Sequence, residues 1–372
     1  MLKYFPALDG LRGLAVLIVL IAHATPVYVS GAAGVDVFFV LSGFLITGIL
    51  ADERARSGGI KLVNFFARRF LRLMPALWLS VCAVALGDWA LGRFDTERQI
   101  EVFWAVTYCM NWVLAFDAGE PWVMAHTWSL AIEEQFYLIW PFALLAMHKL
   151  RLRDGGRAGV LIGLAVACVV YRNAMGFSPQ RIYFGLDTHC DGLLLGSAVA
   201  YLHRAGLLEA RALTRVIRFG TLPALVMLLA MPRFMAWTEP LTALVYFTLV
   251  NLFACLLIAA VVTGRGGVLD RVLNLGPLKY LGKISYGLYL YHQPILIALR
   301  GFGPLEVWYI CAPLGLSASL VFSHLSYRYF EKPILRFKDR FRSDLPHVSP
   351  VPASAEPASA YVNEKVMPSQ AA

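Results

Sequence analysis

The chain has 372 residues, of which 59% are hydrophobic and only 15% charged, with a formal net charge of +9 and a mean hydropathy of +0.63. Soluble domains carry roughly 45–50% apolar and about 25% charged residues, so the composition excludes an ordinary soluble protein and predicts an integral membrane protein. The six cysteines, at 82, 109, 168, 190, 255 and 311, lack the paired spacing of a zinc site or redox couple. They read as small packing residues, and no metal is expected.

Apolar stretches able to cross about 30 Å of hydrocarbon recur near 11–30, 34–51, 73–91, 128–147, 158–175, 187–203, 219–235, 241–263, 284–300 and 306–327. They predict an all-α polytopic bundle of ten spans within a single domain, 1–341. With the N-terminus in the cytoplasm, the inward-facing segments hold 26 of the 33 Lys and Arg residues. That asymmetry follows the positive-inside rule, predicts a cytoplasmic C-terminus, and accounts for the positive charge without a nucleic acid. The stretch 101–116 is read as an interfacial or re-entrant helix on the outer side, because an eleventh span would invert every later loop. The Pro, Ser and Ala residues of 342–372 predict a disordered cytoplasmic tail.

The first span, LDGLRGLAVLIVLIAHAT, carries Asp9, Arg12 and His23. A charge at membrane depth costs at least about 2.5–3.5 kcal/mol, so such residues are functional candidates. Arg12 and His23 are eleven residues apart, nearly three helical turns, which puts them on one face and roughly 16 Å apart. The structural alternative is Arg12 reaching the inner headgroups and His23 hydrogen-bonded at the outer interface. Ala22-His23-Ala24 also has the form of a signal cleavage site. Asp9, Arg12 and the immediate return into a second span favour a retained helix.

In the second span Asp36 lies near the outer end, where a carboxylate could orient an imidazole. Ser42 and Gly43 lie near its middle. Gly43 and Thr47 form a small-xxx-small pair suited to close helix packing, while Ser42 would need an adjacent base to act as a nucleophile. The third span follows NFFARRFLRLMP, in which Arg69 and Arg72 share a helix face. Guanidinium forks suit phosphate, so the pair could clamp a phosphorylated cytosolic donor, or simply anchor the helix inside. The fourth span opens HTWSLAIEEQFYLIWP, where Glu133 and Glu134 lie about 100° apart and cannot face the same way. Later spans add Asp187, Asp191, Tyr291 and His292.

Taken together these stretches resemble the acyltransferase-3 family of bacterial membrane O-acyltransferases. The matching elements are Arg12 to His23, Ser42 to Leu45, Arg69 with Arg72, Trp128 to Glu133, Asp187 to Asp191, Ser285 to His292 and the closing YRYFEKP. The resemblance implies transfer of an acyl group, commonly acetyl from acetyl-CoA, to a hydroxyl of a carbohydrate or lipid-linked glycan at the bacterial inner membrane. It implies His23 as general base, oriented by Asp36 or Glu133. Arg12, Ser42, Arg69 and Arg72 would hold the acyl donor. Trp128, Glu134, Asp187, Asp191, Tyr291 and His292 would form the acceptor or a secondary site. A transporter or flippase of a lipid-linked saccharide is the rival from another class, since it too keeps charges within a bundle.

Overall fold

The computed structural model describes residues 4–28, 30–116, 123–234, 240–301 and 307–341, with the backbone alone over 240–244. The tail expected to be disordered, 342–372, lies outside the described residues. Every regular element among the described residues is a helix, because a chain in lipid must satisfy its backbone hydrogen bonds internally.

The long helices are α1 (Pro6–Ala24), α2 (Ala32–Ser57) and α3 (Leu62–Ala90). Two short pieces follow, α4 (Thr96–Val106) and α5 (Met110–Ala115). Then come α6 (Trp128–Lys149) and α7 (Asp154–Ala174). A broken stretch consists of α8 (Pro179–Phe184), α9 (Leu186–His189) and α10 (Asp191–Arg204). The chain continues through α11 (Arg211–Phe234), α12 (Pro240–Val262), α13 (Val268–Leu273), α14 (Gly276–Arg300) and α15 (Trp308–Ser326). The YRYFEKP motif opens as a π-helical turn, Tyr327–Glu331.

Among the described residues, eight helical segments are long and apolar enough to cross a membrane. Two of the ten expected spans depart from that description. The expected span 187–203 is interrupted at Cys190, and α10 has only 14 residues. The expected span 284–300 belongs to a 25-residue helix beginning at Gly276 that carries Lys279 and Lys283. The expected loop 52–72 is mostly helical, since α2 runs on to Ser57 and α3 begins at Leu62, which puts Pro75 inside α3. Stretch 101–116 is split at Thr107–Cys109, where Tyr108 adopts φ +55°. Gln135 Nε2 holds the Tyr108 carbonyl at 2.7 Å, locking this turn against α6.

Lipid tails provide no hydrophobic drive between helices, so association depends on close packing and interhelical hydrogen bonds. Gly43 shows the first: a Cβ there would lie 2.0 Å from the Leu193 carbonyl oxygen of α10. One turn on, Thr47 Oγ1 donates to Ser197 Oγ at 2.8 Å and accepts from Trp140 Nε1 at 2.9 Å. The small-xxx-small pair therefore does pack a helix, and it turns the neighbouring Ser42 toward a cavity. On the other flank, a Cβ at Gly282 of α14 would lie 1.8 Å from the Asp9 carbonyl of α1. A Cβ at Gly34 of α2 would lie 2.4 Å from the Ala15 carbonyl oxygen, so close approaches at Gly34 and Gly282 seat α1 between α2 and α14. Large apolar side chains such as Leu86, Trp89, Phe219 and Leu222 remain exposed on the outside, as a lipid-facing surface requires.

Candidate active site

Two polar regions sit along α1, one at each end. The first is a chamber of about 270 Å³ whose lining includes Arg12, Ser42, Arg69, Arg72, Glu133 and Tyr289. Arg69 and Arg72 share the chamber face of α3, as their spacing predicts. Arg68, one residue out of phase, turns away to Glu53 at 3.4 Å. Ser42 Oγ donates to Glu133 Oε1 at 3.0 Å, and Tyr137 donates to Oε2 at 3.3 Å. Glu134 faces a different neighbour, accepting from Arg69 Nη2 at 3.1 Å. The Arg69 guanidinium also lies 3.5 Å from the Tyr137 ring centroid. The wall sets three arginines against the carboxylates of Asp9 and Glu133, and of the three only Arg69 is in a salt bridge among the described residues, so Arg12 and Arg72 remain to meet an anion.

The second region is a cluster of three histidines. His23 is exposed at the end of α1. His292 is fully buried and His126 is 3% exposed. His292 Nδ1 lies 2.6 Å from the Tyr289 carbonyl and must donate to it. That leaves His292 Nε2 as an acceptor, 3.3 Å from His23 Nδ1. His23 Nδ1 is also 3.0 Å from the Val19 carbonyl, so it carries the proton and shares it between these two acceptors. The lone pair of His23 is therefore on Nε2. His126 Nε2 contacts the Leu290 carbonyl at 3.1 Å, and its ring lies 5.5 Å from that of His292. Among the described residues no set of three or more His, Cys, Asp or Glu is arranged to hold a metal.

Several expected partners lie elsewhere. Asp36 does not orient His23: it is fully buried with Oδ1 2.8 Å from His189 Nε2. Glu133 is engaged by Ser42 and Tyr137 instead of an imidazole. Trp128, expected at the acceptor or secondary site, stacks on His189 with centroids 6.1 Å apart. Asp187 and Asp191 do not share a site, because the chain breaks between them. Asp187 pairs with Arg181 at 2.6 Å. Asp191 is buried against Arg172 at 3.0 Å and Asn251 at 3.2 Å. Arg172 is fully buried and also donates to Thr248 Oγ1 at 2.6 Å. Tyr291 faces away from the chamber and bonds Ser326 at 2.8 Å, which in turn bonds Glu331 at 2.9 Å.

His126, His189 and Arg172 were not singled out from the sequence, and Tyr289 entered only as part of the Ser285 to His292 element. The histidines sit in HTW and THC, where nothing in the local pattern distinguishes them from ordinary packing residues. The six cysteines are all free. Cys168 and Cys311 are buried as expected of packing residues, whereas Cys82 is exposed.

Comparison with known proteins supplies a further finding. A family profile described as an acyltransferase domain matches residues 5–328. The chain is 31% identical over 358 residues to the peptidoglycan O-acetyltransferase OatA of Listeria monocytogenes, covering 89% of this chain and 56% of that protein. It is 33% identical over 365 residues to the putative peptidoglycan O-acetyltransferase YrhL of Bacillus subtilis, covering 89% and 55%. It is 30% identical over 350 residues to the O-acetyltransferase OatA of Staphylococcus aureus, covering 89% and 57%. The chain thus spans little more than half the length of these relatives. No solved structure matches it.

Proposed function

Because the chain belongs to the family of acyltransferase domains, we propose that it transfers an acetyl group from acetyl-CoA to a hydroxyl of a cell-envelope carbohydrate. The observation that carries this reading is the arrangement along α1: a chamber walled by three guanidiniums at one end and an imidazole with a free Nε2 at the other. The names of the relatives supply the acetyl group and the class of acceptor.

The phosphates of the donor lie at the end of the chamber formed by Arg12, Arg69 and Arg72, where fork-shaped cations suit them. The basic residues concentrated at this end support a cytoplasmic position for it, in a bacterial inner membrane. The thioester arm runs along α1 toward His23, past Ser42 and Glu133. At the outer end His23 Nε2 removes the proton of the acceptor hydroxyl as its oxygen attacks the thioester carbonyl. The new C–O bond forms, the C–S bond breaks, and the proton passes to the departing thiolate. His292 Nε2 and the Val19 carbonyl hold the Nδ1 proton of His23. They fix its tautomer as a carboxylate does in a triad.

The test is transfer of labelled acetyl from acetyl-CoA to cell-wall glycan fragments by protein in lipid nanodiscs. His23→Ala should lose transfer by about 10²–10⁴-fold while still binding a non-reactive thioether analogue of acetyl-CoA. Transfer retained in that variant would remove His23 from the mechanism.

A further inference from the structure

We propose that Tyr289 is the partition between the donor chamber and the histidine site, and that its phenol must swing aside before the acyl carbon can meet the acceptor oxygen. The inference rests on the reading that the chamber holds acetyl-CoA.

Tyr289 belongs to both regions. Its side chain lines the chamber, whereas none of His23, His126 and His292 is among the described residues that do. Its ring lies 5.5 Å from that of His126 and 5.6 Å from that of His292. A thioester advancing along the chamber therefore meets a phenol before it meets an imidazole.

The phenol is latched. Its hydroxyl donates to the His126 carbonyl at 2.7 Å and accepts from Ser129 Oγ at 2.7 Å. Both partners lie where the turn Ala125–Thr127 enters α6, so one hydroxyl ties α14 to the start of α6. A single rotation of the side chain breaks both bonds together, and the chamber is the open space beside it. His23 and the His292 that positions it need not move with it. His292 is held through the main-chain carbonyl of Tyr289, at 2.6 Å, which stays in place while the side chain turns.

Closed, the partition keeps water that reaches the exposed His23 away from the thioester. A closing element of this kind suppresses hydrolysis of a reactive donor. The residue thus decides whether the acetyl group goes to an alcohol or to water.

The experiment measures acetyl-CoA consumption and acetyl-glycan formation side by side in nanodiscs for the wild type, Tyr289→Phe and Tyr289→Ala. Tyr289→Ala removes the partition and should raise the ratio of hydrolysis to transfer by about tenfold or more. Tyr289→Phe keeps the ring but loses the latch, so a smaller rise of a few-fold is expected. Tyr289→Phe preserves the packing volume, so it decides the matter if Tyr289→Ala does not fold. A wild-type ratio in the folded variants, with transfer by the wild type intact, overturns the partition alone. A wild type that consumes no acetyl-CoA and forms no acetyl-glycan overturns the parent reading and the partition with it.

Discussion

The protein keeps ionisable side chains at membrane depth in two settings. Around α10 they are closed off: Arg172, Asp191, Asp36 and His189 all have zero exposure, Arg172 bonding to Asp191 beside the amide of Asn251, and Asp36 to His189. Around α1 they face a cavity, where Arg12 and Arg72 stand in the wall beside the Ser42–Glu133 pair. Both settings hold arginine and carboxylate side chains, so charge within the membrane does not by itself mark a reactive site. What separates them is access: the groups around α10 are sealed from any cavity, whereas those around α1 line one. The closed network holds the broken α9–α10 stretch against α2 and α7, while the open one has cations left for a ligand.

Three substitutions would break or sharpen that contrast. The largest effect should come from Arg172→Leu, which leaves Asp191 as a buried charge without its cation. Breaking such a pair costs about 3–5 kcal/mol, seen as loss of folded protein or a large fall in Tm in detergent. A wild-type Tm would mean that the closed network is not structural. Gly43→Ala comes next, because its new methyl collides with the Leu193 carbonyl of α10. Overpacking of this kind costs about 1–3 kcal/mol, and the Tm should fall although the neighbouring Ser42 is intact. Arg72→Gln should have the smallest structural effect and a functional one. The KM for acetyl-CoA should rise about tenfold, in line with the roughly 1.5–3 kcal/mol of a charged hydrogen bond, at unchanged Tm. A lowered Tm with unchanged KM would move Arg72 into the structural class.

The helical character of the chain and most of its long elements were legible in the sequence, because apolar length and helical propensity are local. The shared face of Arg69 and Arg72 was legible for the same reason, as was the divergence of Glu133 from Glu134. The limits of the spans were less so. Helices run past the apolar core wherever charged residues can reach water, as at Leu62–Arg72, and Cys190 interrupts a stretch that reads as continuous. The partners of the polar residues were not legible. Asp36 was expected beside His23, thirteen residues away, and is instead held by His189, 153 residues along the chain.

By itself the sequence determined a membrane-embedded helical chain and the spacing that puts Arg12 and His23 on one face of α1, nearly three turns apart. These follow from composition and from the periodicity of a single helix. Only the tertiary structure decided that Glu133 serves Ser42, that His292 steadies His23, and that Tyr289 stands between chamber and histidines. Those pairings arise where helices far apart in sequence meet, at glycines that let backbones approach. Which side chains oppose one another there depends on how the whole bundle packs.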